Sequence, residues 1–312
     1  MIRYVARRTI AALATLLVVS IVVFVAGRLA GDPRSHLLGD DATPDQYAAL
    51  GQKLGLDQPL YVQYFKYLGL LVRGDFGDSI SQHRPTLELI GQRMPATLEL
   101  ALVAFLFATV LGLALGVFAA ARRGRITDKI IQFVGLTGQA LPSFWLGIML
   151  IFLFAVHLRW LPASGMRHWD SIILPAVALG WYFLASFLGL MRSSMLDVLD
   201  AEYITMAKSR GLSPLSITWK HAARNALLAP LTFVGVTLGT LITGSLVIET
   251  VFAWPGLGKL SIDAVLAADY PLLQGCVIVF TALYMGAALV VDLLYVLVDP
   301  RVRLFDAGKE GV

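Results

Sequence analysis

Residues 207–230 read AKSRGLSPLSITWKHAARNALLAP, and how this stretch is understood decides how the rest of the chain folds. It holds Lys208, Arg210, Lys220, Arg224 and His221 but no acid, yet long apolar runs lie on both sides. Glycine just past a helix is the usual C′ residue, because it takes positive φ without a Cβ clash. Gly211 therefore closes a helical stretch over about 200–210. Ser213 then offers an N-cap hydroxyl, and Pro214 has the fixed φ that suits a first helical position. The pattern predicts a helix, a sharp turn and a second helix. In the second, Leu215, Trp219, Ala222 and Ala226 fall on one helical stripe, and Ile217, His221 and Arg224 on another. This element is too polar to insert in a bilayer and too ordered for a slack linker. Two readings fit it: an ordinary basic connection, or a rigid helix pair that docks in a groove on a partner.

The flanking runs set the class of protein. Of 312 residues, 57% are hydrophobic and only 15% charged, where a soluble domain has about 45–50% and about 25%. The mean hydropathy is +0.74 and the pI about 9.2. The bases lie between apolar runs rather than along one soluble face, which argues for membrane topology and against a nucleic-acid partner. Cys276 is the single cysteine, so an internal disulfide or a multi-cysteine metal site is excluded.

A bilayer core about 30 Å thick needs roughly 20 apolar residues in a helix. Six segments qualify: 10–27, 100–121, 130–156, 171–191, 226–248 and 270–291. The first is longer than the apolar core of a secretory signal and is followed by five more, so it reads as an uncleaved anchor. Arg3, Arg7 and Arg8 precede it, and Arg122, Arg123, Arg125 and Lys129 follow the second segment. Arg192 joins the four bases of the quoted stretch, and Arg301, Arg303 and Lys309 lie in the tail. The two short loops opposite carry only Arg159, Arg167 and Lys259. The excess of bases places both termini and the quoted stretch in the cytoplasm. The fold class is thus an all-α polytopic membrane protein with six transmembrane helices. Its expected parts are residues 1–30 as a first helix with a basic cytoplasmic start, 31–95 as a long extracytoplasmic loop with short helices, 96–298 as a five-helix core containing the basic loop 192–225, and 299–312 as a cytoplasmic tail.

Within the long loop, Thr43-Pro44-Asp45-Gln46 reads as N-cap, proline at N1 and glutamine at N3, opening a helix that ends near Gly55. A second helix follows Pro59, where Tyr61, Phe65, Leu68 and Val72 form an apolar stripe expected to pack on the outer ends of the spans. A docking or lid element on the outer face is the other reading.

Three acids fall at or near span ends, where burial requires a partner or water. Glu99 opens the second span near Arg93. Asp292 lies near the inner end of the sixth, with Arg192 as a candidate partner. Glu249 closes the fifth, just before the turn-rich Trp254-Pro255-Gly256-Leu257-Gly258. It reads either as part of a substrate path or outer gate, together with Trp254, Pro255 and Gly256, or as a structural pairing. Pro142 should kink the third span. Gly112 and Gly116 form a G-x-x-x-G that permits close helix contact, here expected to favour one half of a dimer rather than a complete pore.

The quoted stretch resembles the signature cytoplasmic loop of ATP-binding-cassette (ABC) importer permeases. In that pattern Glu-Ala-Ala precedes the motif glycine by six, five and four positions; here Thr205, Met206 and Ala207 stand there, and only Ala207 matches. The run HAARNALLAP is similar to the dipeptide, oligopeptide and nickel branch. So are GLDQPLYVQYFKYL, GDFGDSI, RMPATLELA, ALPSFWLGI, ETVFAWPGLGKL, DYPLLQG and LVDPRVR, in order along nearly the whole chain. The resemblance implies a type I ABC importer permease fold. It implies that Thr205, Met206, Ala207, Lys208, Arg210, Gly211, Ser213, Pro214, His221, Arg224 and Asn225 form a coupling loop seated on an ATPase. The implied partners are a second, similar permease, two cytoplasmic ATPase subunits, an extracytoplasmic substrate-binding protein and membrane lipid. Short peptides are the implied substrate, with nickel or glutathione as alternatives.

The chain has no GxxxxGK[ST] phosphate loop, so ATP and magnesium are expected on partner subunits and no cofactor on this one. It also lacks HExxH and GxSxG motifs, and its five histidines are scattered, so neither catalytic nor metal-binding residues are expected. A self-sufficient secondary transporter would call for inverted repeats and mid-membrane ionisable groups, of which neither is evident.

Overall fold

The computed structural model describes residues 2–29, 34, 38, 43–54 and 57–298. The tail bases Arg301, Arg303 and Lys309, the end of LVDPRVR and the side chain of Asp292 lie outside the described residues. Among the described residues the elements are helical, with one isolated β-bridge between Asp78 and Pro85. Among the described residues, five helices are long and apolar enough to cross a membrane, or six if one bent pair counts as a single span.

The chain divides into two compact units. The first takes in residues 1–96 and 255–286, the second 97–254 and 287–312. The first unit holds α1 (Ile2–Leu29), α2 (Pro44–Leu54) and α3 (Leu60–Val72). The reciprocal cap expected at α2 is present: Thr43 N donates to Gln46 Oε1 at 2.9 Å, and Gln46 N to Thr43 Oγ1 at 3.4 Å. Helix α3 does pack on a span, but not through the expected stripe, of which Leu68 alone is half-buried. Tyr61, Phe65 and Val72 are 67%, 66% and 82% exposed. The other face meets α1, where Tyr64 Oη and Ser20 Oγ are hydrogen-bonded at 2.9 Å and the rings of Tyr64 and Tyr67 each lie 5.5 Å from Phe24. Tyr64 brings its own hydrogen-bonding group to the serine of the span, while Tyr67 packs there through its ring against Phe24.

The expected boundary at 95/96 falls inside α4 (Thr86–Ala121), of which Pro95 is an interior residue. Its first turns are held by burial of Leu89 and Ile90 within the first unit, so the helix begins well before its apolar run.

The third span is broken rather than kinked. Helix α5 (Ile126–Ala140) and α6 (Ser143–Leu150), which continues as a π-helical turn over Ile151–His157, meet at 113°. Proline disfavours the α conformation in the residue before it. Leu141 accordingly sits at φ −97°, ψ 130°, and Pro142 itself at ψ 137°, so two consecutive extended residues end one helix and start another.

Helix α7 (Ile173–Leu199) is the centre of the second unit. A Cβ on Gly112 of α4 would lie 2.7 Å from Phe187 Cβ, and one on Gly116 2.7 Å from Met191 Cβ. Gly138 of α5 approaches Ala185 of α7 in the same way, and Gly180 of α7 approaches the Ala104 carbonyl. The G-x-x-x-G is thus used within the chain, as a seat for α7. The remaining elements are α8 (Glu202–Ser209), α9 (Pro214–Ser216), a π-helical turn (Ile217–Ala222), α10 (Ala223–Ala226), α11 (Leu228–Val251), α12 (Leu257–Leu266) and α13 (Tyr270–Val298).

Candidate functional site

The basic stretch folds as an elbow whose turn follows from its residues. Gly211 has φ +76°, its N–H bonds the Lys208 carbonyl at 3.0 Å, and Leu212 N–H reaches the Ala207 carbonyl at 3.3 Å. These two bonds satisfy the last carbonyls of α8 in a Schellman motif. Ser213 then caps the second arm, its Oγ accepting from Ser216 N at 3.3 Å, with Pro214 at the first helical position. The same motif ends α11, but with Ala253 at φ +48° in the left-handed position.

Both arms are anchored to their own unit. Ile204, Ile217, Ala222, Ala223 and Ala226 are buried against Val117 and Ala120 of α4 and Met191 and Met195 of α7. The expected stripes do not survive this packing. Ala222 and Ala226 are buried, but Leu215 and Trp219 are 73% and 51% exposed. The π turn over Ile217–Ala222 is the cause, because bonds from i to i+5 take more residues per turn than 3.6 and shift the stripe. Ile217, His221 and Arg224 split likewise into buried, half-buried and exposed positions.

Thr205, Met206, Lys208, Arg210, Gly211, Ser213 and Pro214 are all exposed, while Ala207 turns partly inward against the elbow's own core. Asn225 Nδ2 donates to Tyr203 Oη at 2.8 Å, tying one arm to the other. Tyr203 was not legible as part of the element, since no spacing rule links it to Asn225. Nor was the partner of Arg192. Its Nε and Nη2 bind the two carboxylate oxygens of Asp128 at 2.8 and 3.0 Å, and the Asp128 side chain is only 3% exposed. Asp128 also accepts from Gly124 N and Gln132 Nε2, which satisfies a buried carboxylate from several sides.

Glu249 is fully buried, and its Oε1 accepts from Thr97 Oγ1 and Ser245 Oγ, each at 2.8 Å. Trp254 is 1% exposed and Gly256 is buried, while Pro255 is half-buried. The turn-rich run is short: Gly256 is the N-cap of α12 and has φ −98°, so regular helix resumes at Leu257. Glu99 is exposed.

In the first unit, two motifs far apart in sequence meet. Asp269 of DYPLLQG accepts from Ser79 Oγ, which belongs to GDFGDSI, and from the N–H and Oγ of Ser81 at 2.9 and 2.7 Å. Burial opposes the Asp269 charge, but these hydrogen bonds outweigh it and hold the carboxyl below its ordinary range.

The family described as "Binding-protein-dependent transport system inner membrane component" matches residues 112–304, and the one described as "Binding-prot-dependent transport system membrane comp, N-term" matches residues 1–101. The glutathione transport system permease protein GsiC of Escherichia coli (strain K12) is 38% identical over 304 residues, covering 97% of this chain and 99% of its own. GsiC of Salmonella typhi matches with the same identity and coverage. A solved structure described as inward facing conformations of the MetNI methionine ABC transporter superposes with a TM-score of 0.56 at 19% identity, over 67% of this chain and 95% of that one. That likeness is one of fold.

Proposed function

This chain belongs to the binding-protein-dependent inner membrane components of ABC transporters, and on that premise we propose that it lines half of a pathway for short peptides. It is a multi-pass inner-membrane importer permease. A second, similar permease supplies the other half, two ATPase subunits bind and hydrolyse ATP, and an extracytoplasmic binding protein delivers the substrate. The elbow is the joint to the ATPase. What supports this most directly is the contrast within it: a base of buried residues holds Leu215 and Trp219 out as exposed apolar side chains, and Lys208, Arg210 and Lys220 are exposed on the same elbow. Exposed apolar anchors on an element that also exposes bases suit a complementary groove with acidic edges.

Glutathione is the favoured peptide, because the GsiC relatives align over nearly their whole length. The buried Glu249, bonded to Thr97 and Ser245, is a structural tie at the end of α11 rather than a group that touches substrate. The test is reconstitution of the tagged chain with the proteins that co-purify from its host. ATP-driven uptake of glutathione that excess dipeptide suppresses supports a peptide pathway, and uptake of glutathione alone narrows it. Activity of this chain by itself in liposomes without ATP rejects the assembly. Single cysteines at 215 and 219 should cross-link to an ATPase subunit; failure of both in transporting membranes rejects the joint.

A further inference from the structure

The first unit contains a cavity of about 790 Å³ for which the transport cycle gives no use. Its wall includes Phe24 and Arg28 of α1, Lys66 and Tyr67 of α3, and Asp75 and Asp78 of the loop that follows. Both signs of charge therefore face one space. Lys66 makes no hydrogen bond or ion pair among the described residues, and Tyr67 Oη is buried without a hydrogen-bond partner among them. A buried phenol in that position is a donor awaiting an acceptor.

The depth of α3 indicates what the acceptor is. The Tyr64–Ser20 hydrogen bond fixes α3 beside the outer half of α1 rather than beyond its end. Ser20 lies about 13 Å before Leu29 along the helix, at ~1.5 Å per residue. Half of a hydrocarbon core is only about 15 Å. The outward face of α3 matches that depth: Leu60, Tyr61, Phe65 and Val72 are all more than half exposed, as are Val18 and Val22 of α1. Arg28 sits at the outer end of the same span, with its guanidinium over the Phe24 ring at 5.3 Å. Apolar faces below and a charged cavity at the outer rim are the two halves of a lipid site.

We propose that α3 lies within the outer leaflet and that the cavity binds the phosphoethanolamine headgroup of a phospholipid. Arg28, Lys66 and Tyr67 take the phosphate, Asp75 and Asp78 face the ammonium, and the acyl chains run along the exposed faces of α1 and α3. Asp75 also accepts from Gly77 N at 2.9 Å, which holds its loop in place. The site stands independently of the transported substrate.

Two measurements on the full chain in nanodiscs test it. Native mass spectrometry should show phosphatidylethanolamine retained in preference to phosphatidylglycerol, with Lys66→Ala weakening retention about fivefold and Tyr67→Phe weakening it as well. Equal retention of both lipids overturns the headgroup assignment. Displacement by soluble glycerophosphoethanolamine, glutathione or a dipeptide overturns the lipid assignment and makes the cavity a solute site. Because Cys276 is buried, a nitroxide on Phe65→Cys labels one position selectively. The label should be accessible to oxygen and shielded from a water-soluble nickel chelate; the reverse ranking overturns the placement of α3, even if a lining variant misfolds.

Discussion

The elbow at 202–226 and the helix α3 at 60–72 each hold large apolar side chains away from their own unit, yet they are built differently. The elbow rests on alanines and isoleucines buried among Val117, Met191 and Met195, and bases flank its exposed Leu215 and Trp219. Helix α3 rests on tyrosines hydrogen-bonded to a span or with their rings against it, and Lys66 is its single charged residue. The difference teaches what each exposed face meets. Apolar anchors with a charged rim suit a protein groove, because the rim stays solvated and steers the partner. A nearly uncharged face held at the depth of a membrane span suits acyl chains.

The largest expected effect separates the two by their foundations. Ile204→Ala removes a fully buried side chain under the elbow and should cost about 2–5 kcal/mol, read as a lower thermal midpoint of the purified chain, with ATP-driven uptake falling alongside. Phe65→Ala, on the exposed face of α3, should leave that midpoint unchanged in detergent; an equal loss breaks the comparison. Next comes Gly211→Val. No atom lies within 4 Å of a Cβ placed there, so the penalty is backbone strain at φ +76° rather than a clash. It should cost about 1–2 kcal/mol, leaving insertion intact and abolishing most uptake, while Gly211→Asn, which tolerates positive φ better, should retain more. Normal uptake by the valine variant removes the elbow from the mechanism.

Tyr64→Phe deletes the bond to Ser20 and should cost about 1 kcal/mol, read as faster proteolysis between residues 54 and 60 with no change in ATPase cross-linking. The smallest effect follows pH. Asp269 is held below its ordinary value by Ser79 and Ser81, so its stabilisation is full above about pH 4 and is lost as pH falls through the lower folded value. Amide exchange of residues 79–81 should therefore rise on acidification before that of 204–217 does; the opposite order refutes the role of this carboxylate.

Much of this was legible because some residues act through local rules. Gly211, Ser213 and Pro214 fix a turn and a cap through their own backbone preferences, and Thr43 with Gln46 does the same at α2. Pro142 announced a disturbance, though not its size, since the sequence does not reveal that both Leu141 and Pro142 settle in extended conformations. The stripes on the second arm failed because a π turn changes the period on which they were counted. Arg192 with Asp128, Asn225 with Tyr203 and Asp269 with Ser79 were out of reach, as no spacing along a chain specifies partners that meet only when helices pack.

The amino-acid order by itself determined the membrane class, the apolar segments and the elbow, because insertion and capping depend on composition and near neighbours. Tertiary structure alone decided which apolar faces are hidden. Burial of Ile204 and exposure of Phe65 are set by the shapes they meet, since both side chains are strongly apolar.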